Sequence, residues 1–209
     1  MTTTISRLYD NYADAERVVR RLEQSGVPHS DISVVANNGE GWYDNSSRVD
    51  RDRDGVDDRA EGAGTGAGIG AGLGGAAGLL AGLGMLAIPG LGPVVAAGWL
   101  VSTAAGAAAG AATGGIIGAL TQAGVPEDEA SHYAEGVRRG GTLVCARVNE
   151  QDRGRIEAMF DQSAVDMGQR TTAWQQSGWK GFNPDDQPLS GDEIRRERQL
   201  YGEGAGMRR

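Results

Sequence analysis

The sequence predicts an α+β domain interrupted in its middle by a long helical hairpin. Three observations carry this expectation. First, short β-branched runs alternate with amphipathic helical patterns before and after the centre of the chain. Second, the stretch from Gly62 to Gly124 holds no charged residue, so all 20 Lys and Arg and all 28 Asp and Glu lie outside it. Third, small residues recur at every fourth position within that stretch.

Taken in order, Thr3 to Tyr9 reads as a strand, although Arg7 shares a face with Ile5 and Tyr9. Asp10 or Asn11 can cap the helix that follows. Ala15, Val18, Val19 and Leu22 sit at i, i+3, i+4 and i+7 and form one apolar stripe. Gly26 ends this helix and Pro28 prevents its continuation. Asp31 to Ala36, with Ile32, Val34 and Val35, is a second strand. Residues 1–36 are thus the first half of the α+β domain. Residues 37–61 form a polar, acidic linker in which Trp42 and Tyr43 are potential anchors.

The uncharged stretch, residues 62–124, divides at Pro89-Gly90-Leu91-Gly92-Pro93, a turn signal. Its first arm carries Gly62, Gly66, Gly70, Gly74, Gly78 and Gly82; its second carries Gly98, Ser102, Gly106, Gly110, Gly114 and Gly118. Small residues at this spacing let helix backbones approach closely, so these glycines are the expected self-association surface of a glycine-zipper hairpin. Gly62 to Ile88 comprises 27 residues, 11 of them glycine. At ~1 kcal/mol each relative to alanine, the glycines oppose an isolated helix in water by roughly 10 kcal/mol. Compensation must come from lipid, from the other arm or from neighbouring copies. The length suits two spans of about 20 residues. Sparse Leu, Ile and Val oppose insertion, as do flanks with seven acids and four arginines between Asp44 and Glu61. Membrane association is favoured over a purely soluble hairpin. A flat glycine-alternating strand over Gly62 to Gly74 is disfavoured, because the four-residue ladder continues where the alternation stops. Gly70-Ala71-Gly72-Leu73-Gly74-Gly75 matches a dinucleotide fingerprint only by glycine abundance, with no strand before it.

Beyond the hairpin, Gly124-Val125-Pro126 echoes Gly26-Val27-Pro28 and opens a helix through Arg139. Glu127, Asp128 and Glu129 suit that helix's N-terminus, and Arg138 and Arg139 its C-terminus. Ala130, Tyr133, Ala134 and Val137 form its apolar stripe. Thr142 to Val148 is a strand, Asp152 can cap a helix bearing Ile156, Met159 and Phe160, and Val165 to Thr171 offers a last strand. Residues 125–172 are therefore the second half of the domain. With the hairpin and the helix after it set aside, the order is βαββαβ, that of a ferredoxin-like domain. Residues 173–209 form an aromatic and charged tail. Its Trp174, Trp179 and Phe182 pack on the domain or anchor a partner, and Ser190 and Glu193 fit a capping box.

Asn11-Tyr12-Ala13-Asp14-Ala15-Glu16, Ile32-Ser33-Val34-Val35, the glycine hairpin, Gly124-Val125-Pro126-Glu127-Asp128-Glu129 and the strand around Leu143 form a recognisable set. Over residues 3–148 the chain resembles bacterial general stress proteins, including the low-temperature-induced proteins. The resemblance implies a small α/β domain with a membrane-like glycine insertion and a stress-related role. It carries no catalytic residue across.

Chemistry is otherwise sparse. Asp50, Asp52, Asp54, the Val56 carbonyl, Asp58 and Glu61 have the spacing of a twelve-residue Ca²⁺ loop, with Gly55 at its sixth position. Asp57 stands where such loops place an apolar residue, and no entering helix precedes Asp50, so a solvated acidic linker is the simpler reading. No other cofactor is expected. His29 and His132 lack neighbours at ligand spacing, and Cys145 lies mid-strand among apolar residues. The net charge of −8 opposes nucleic-acid binding, and no small-molecule substrate site is legible. A single cysteine excludes an internal disulfide, and Met1 to Ile5 lacks the features of a secretory signal. The expectation is a non-enzymatic, homo-oligomeric stress protein of the inner membrane with a cytoplasmic domain. A soluble self-assembling module and a Ca²⁺-responsive interaction protein are the alternatives.

Overall fold

The structure, a computed structural model, describes residues 2–43, 84–101, 103 and 115–202. In chain order the elements are β1 (Thr2–Tyr9), α1 (Tyr12–Gln24), β2 (Ile32–Asn37), β3 (Gly84–Ile88) and β4 (Gly92–Gly98). They continue with α2 (Gly115–Gln122), α3 (Glu127–Arg138), β5 (Thr142–Asn149), α4 (Arg153–Asp161), α5 (Met167–Gln176) and α6 (Gly191–Gly202). The strands form one sheet in the order β1-β5-β2-β4-β3, every neighbouring pair antiparallel. The chain is therefore mixed α+β, with β5 lying between β1 and β2.

Local chemistry explains the helix boundaries. Asn11 Oδ1 accepts from the Asp14 amide at 2.9 Å and caps α1. Gly26, at φ 93°, ends α1 while the Val27 amide donates back to Leu22 O at 3.0 Å. Gly124, at φ 92°, ends α2 in the same way, with the Val125 amide on Leu120 O at 3.0 Å. The Gly-Val-Pro echo is thus one stop signal used twice: a left-handed glycine, a buried valine and a proline that cannot continue the helix. Asp152 precedes α4, but its carboxylate receives Arg155 rather than capping the helix.

The sheet is covered on both faces. Ile5, Tyr9, Ile32, Val34, Val95, Val144 and Ala146 face α1 and α4, which contribute Val18, Leu22, Ile156 and Phe160. Leu8, Val35, Val94, Ala96, Leu143 and Cys145 face α2 and α3, which contribute Ile116, Leu120, Tyr133 and Val137. Burial on two sides is why every residue of β2 is buried. The structure has three layers, because α2 and α3 occupy the second face.

Two further expectations are corrected. The uncharged stretch was expected to be helical through Ile88, and its centre is instead a β-hairpin. Gly84 pairs with Ala96 and Ile88 with Gly92. Val94 and Val95 are completely buried, one against each core, so tertiary packing outweighs the helical spacing of the glycines. Pro89-Gly90 still makes the turn: the Leu91 amide donates to Ile88 O at 3.1 Å, and Gly90 takes the positive φ of 75° that a type II turn demands. Val165 to Thr171 is likewise not a strand. The Val165 amide makes one bond to Leu8 O at 2.8 Å, beside β1, and Asp166 then caps α5 by accepting from Gln169. The run after Val165 offers no apolar alternation to sustain pairing.

Candidate functional site

The most developed feature is where the C-terminal segment crosses the β3–β4 turn. Gly90 and Gly92 have no side chain because the tail occupies that space. A Cβ on Gly90 would lie 2.8 Å from Pro184 Cα and 2.9 Å from the Phe182 ring. One on Gly92 would lie 2.8 Å from Pro188 Cβ. Arg138 donates to Gln187 O at 3.0 Å and holds the same segment to the end of α3. The aromatic tail therefore packs on its own domain: Trp174 is fully buried, and Trp179 stacks edge-on against it with ring centroids 5.7 Å apart.

α6 then seats beside α3 through one apolar plug and a set of charges. Ser190 and Glu193 form the expected capping box: the Ser190 amide donates to Glu193 at 2.8 Å, and the Glu193 amide to Ser190 Oγ at 3.4 Å. The Ser190 hydroxyl, which donates to Glu193 Oε2 at 2.6 Å, and then the Ser190 amide hold the Glu193 carboxyl below its ordinary range. Ile194 is fully buried, and a Cβ on either Gly39 or Gly140 would come within 2.5 Å of it. Arg139 lies between Glu135 at 2.5 Å and Glu197 at 2.9 Å, with its guanidinium 5.1 Å above the Trp174 ring. Arg198 pairs with Glu40 and donates to Gly140 O at 2.9 Å, and Arg195 lies 3.7 Å from Glu40. Glu135 is 1% exposed and is satisfied by Arg138 and Arg139 from its own helix. Sequence reasoning found the Ser190 cap but missed this cluster. Only the Glu135–Arg139 spacing of four was visible; the partners Glu40 and Glu197 are remote in the chain.

The linker's aromatic residues are anchored. Trp42 Nε1 donates to Asn37 O at 2.7 Å, and its ring lies 4.8 Å from that of Tyr12. Asn38 Oδ1 accepts from the Tyr43 amide at 2.9 Å. At the opposite end of β2 a cleft of about 130 Å³ lies between Gly26–Pro28, Arg147 and Arg155. Its arginines are already paired, Arg147 with Asp31 at 3.0 Å and Arg155 with Asp152 at 2.8 Å.

Cys145 is buried against Ser6, whose hydroxyl lies 3.2 Å from its sulfur, and burial pushes its thiol up to about 12. A thiol so placed is a core residue without nucleophilic character at neutral pH. His29 pairs with Glu23, and His132 lies against the Trp179 ring. Among the described residues no three metal-ligating side chains converge. The Ca²⁺-loop residues Asp50, Asp52, Asp54, Val56, Asp58 and Glu61 lie outside the described residues, as do Gly62, Gly66, Gly70, Gly74, Gly78, Gly82, Gly106, Gly110 and Gly114. Of the zipper positions, Gly118 is helical and half-buried in α2. Gly98 is not helical: it ends β4 at φ 93°, and a Cβ there would collide with Ile32 O.

No family model, curated protein or solved structure matches the chain.

Proposed function

We propose that this chain is a non-enzymatic, stress-associated protein whose glycine-rich segments associate with membrane and with one another. The inner membrane, with the folded domain in the cytoplasm, is the setting we assign. The observation that supports this reading is the rooting of the uncharged stretch in the sheet. Residues 84–98 are strands, so the glycine-rich runs on either side are tethered to one β-hairpin. Residues 62–83, which precede β3, number 22 and carry no charge, a length that suits one span of about 20 residues. Among the described residues no helix is long and apolar enough to cross a membrane. We also read β1-α1-β2 and β5-α4 as a ferredoxin-like arrangement whose fourth strand is reduced to the Val165 bond. The stress role rests on the family resemblance alone.

Flotation with anionic and zwitterionic vesicles, followed by mass measurement, tests the reading. Co-flotation that is lost when Gly70 and Gly74 become aspartate supports it. Protein that stays at the bottom of the gradient overturns membrane association. If that protein is also a large particle dispersed by Gly70→Leu and Gly74→Leu, the soluble self-assembling module takes its place.

A further inference from the structure

We propose that α6 is a detachable latch, seated in a groove that the same helix from a second copy of the chain can occupy instead. Gly39 and Gly140 leave a slot for one branched side chain, and Ile194 fills it. Glu40 faces Arg195 and Arg198, Arg139 faces Glu197, and Gly140 O receives Arg198. A ligand for this groove must carry an isoleucine, a carboxylate three residues later and a guanidinium four residues later. α6 of a second copy supplies that pattern at the concentration of the groove itself.

The attachment is of a kind that exchanges. Ile194 is the only fully buried hydrophobic residue of α6, and Leu200 is 69% exposed. Besides the Arg198 bond to Gly140 O and the Arg170 guanidinium 4.1 Å over the Tyr201 ring, the remaining links are ion pairs whose side chains stay partly in water, at 56% for Arg195, 34% for Arg198 and 21% for Glu197. Partly solvated pairs weaken as salt screens them. A twelve-residue helix is marginal alone in water, so α6 orders as it docks. The hinge lies upstream. Gly178 and Gly181 have φ of 96° and 134°, and nothing approaches within 4 Å of a Cβ at either. Reaching a neighbouring molecule also requires Phe182, Pro184 and Pro188 to leave the β3–β4 turn and Gln187 to leave Arg138, so residues 182–202 move as one segment; from Gly181 to Gly191 ten residue steps then span up to ~33 Å when extended. This inference is independent of membrane association, because the groove and the helix both belong to the described domain.

The test uses the full chain carrying Ile194→Asp, which expels α6 and empties the slot. A fluorescent peptide of residues 182–202 is titrated into it by anisotropy. The expected result is saturable binding to the variant. Binding to the unsubstituted chain, and binding of the same peptide bearing Ile194→Asp, should each be at least tenfold weaker. A variant with native circular dichroism that does not bind the peptide overturns the latch. If Ile194→Asp does not fold, Arg195→Ala with Arg198→Ala replaces it. Amide exchange across residues 191–202 must then rise at least tenfold relative to α3, and unchanged exchange overturns the proposal. For the second copy, the unsubstituted chain is concentrated in 1 M salt and returned to low salt. A dimer that Ile194→Asp abolishes supports exchange, and monomer alone overturns it.

Discussion

Gly98 shows how a single residue determines whether β4 can pair with β2. Its φ of 93° is open to glycine, and Ile32 O blocks any Cβ. Gly98→Ala should therefore lower stability by about 2 kcal/mol or more, read as a shift in the urea midpoint. Ile194→Ala empties the slot between Gly39 and Gly140 and should cost about 2–4 kcal/mol by the same measurement. Titration supplies a further prediction. Burial pushes Cys145 up to about 12 and Tyr12 up to about 12, and it raises Tyr9 and Tyr133 as well. Each group is neutral in both states below its unfolded value, so none affects stability at pH 7. As the pH rises past ~8.5 for the thiol and ~10 for the phenols, the unfolded chain releases protons that the fold retains. Stability should hold from pH 7 to about 8.5 and then fall progressively toward pH 12. Chemical denaturation across that range checks the sign, and a midpoint that rises with pH would contradict it.

Among the elements, the β3–β4 hairpin and α6 depend on each other through the segment that joins α5 to α6. Gly90 has a φ of 75° and lies against Pro184 and Phe182, so Gly90→Ala should loosen the turn and the tail together. Faster amide exchange in residues 84–98 and 182–202, with α1 unchanged, is the expected pattern. Ser190→Ala removes one half of the capping box and should weaken α6 by about 1 kcal/mol, with exchange rising only in residues 191–202. The acidic linker has its own test at this scale. Calorimetry that records heat on adding Ca²⁺, abolished by Asp52→Ala and Asp54→Ala, would establish the loop. No heat would leave a solvated linker.

For the whole molecule, helices cover both faces of the sheet and the described residues build a core on each. β3 starts at Gly84 and pairs along its length with β4. Deleting residues 62–79 should leave the near-ultraviolet spectrum and cooperative unfolding of the domain intact while abolishing vesicle flotation. Loss of the cooperative transition would show that those residues belong to the fold.

The elements whose signals are local were legible in the sequence. The stripe Ala15, Val18, Val19 and Leu22, the Gly-Val-Pro stops and the Ser190 capping box each depend on neighbours within a few residues, where periodicity and capping chemistry act. Of the candidate site, the sequence alone yielded the uncharged glycine stretch, its central turn and the aromatic tail. It did not yield what the turn joins. Val94 and Val95 become strand because two cores bury them, and those cores are assembled from residues on both sides of the hairpin. The same holds for the groove of α6, where Gly39, Glu40, Arg139 and Gly140 converge on Ile194, Glu197 and Arg198 only after folding. Spacing along the chain set the helices and their ends. Burial and charge pairing between distant segments, which only the tertiary structure brings together, decided which segments became strand and where the tail docks.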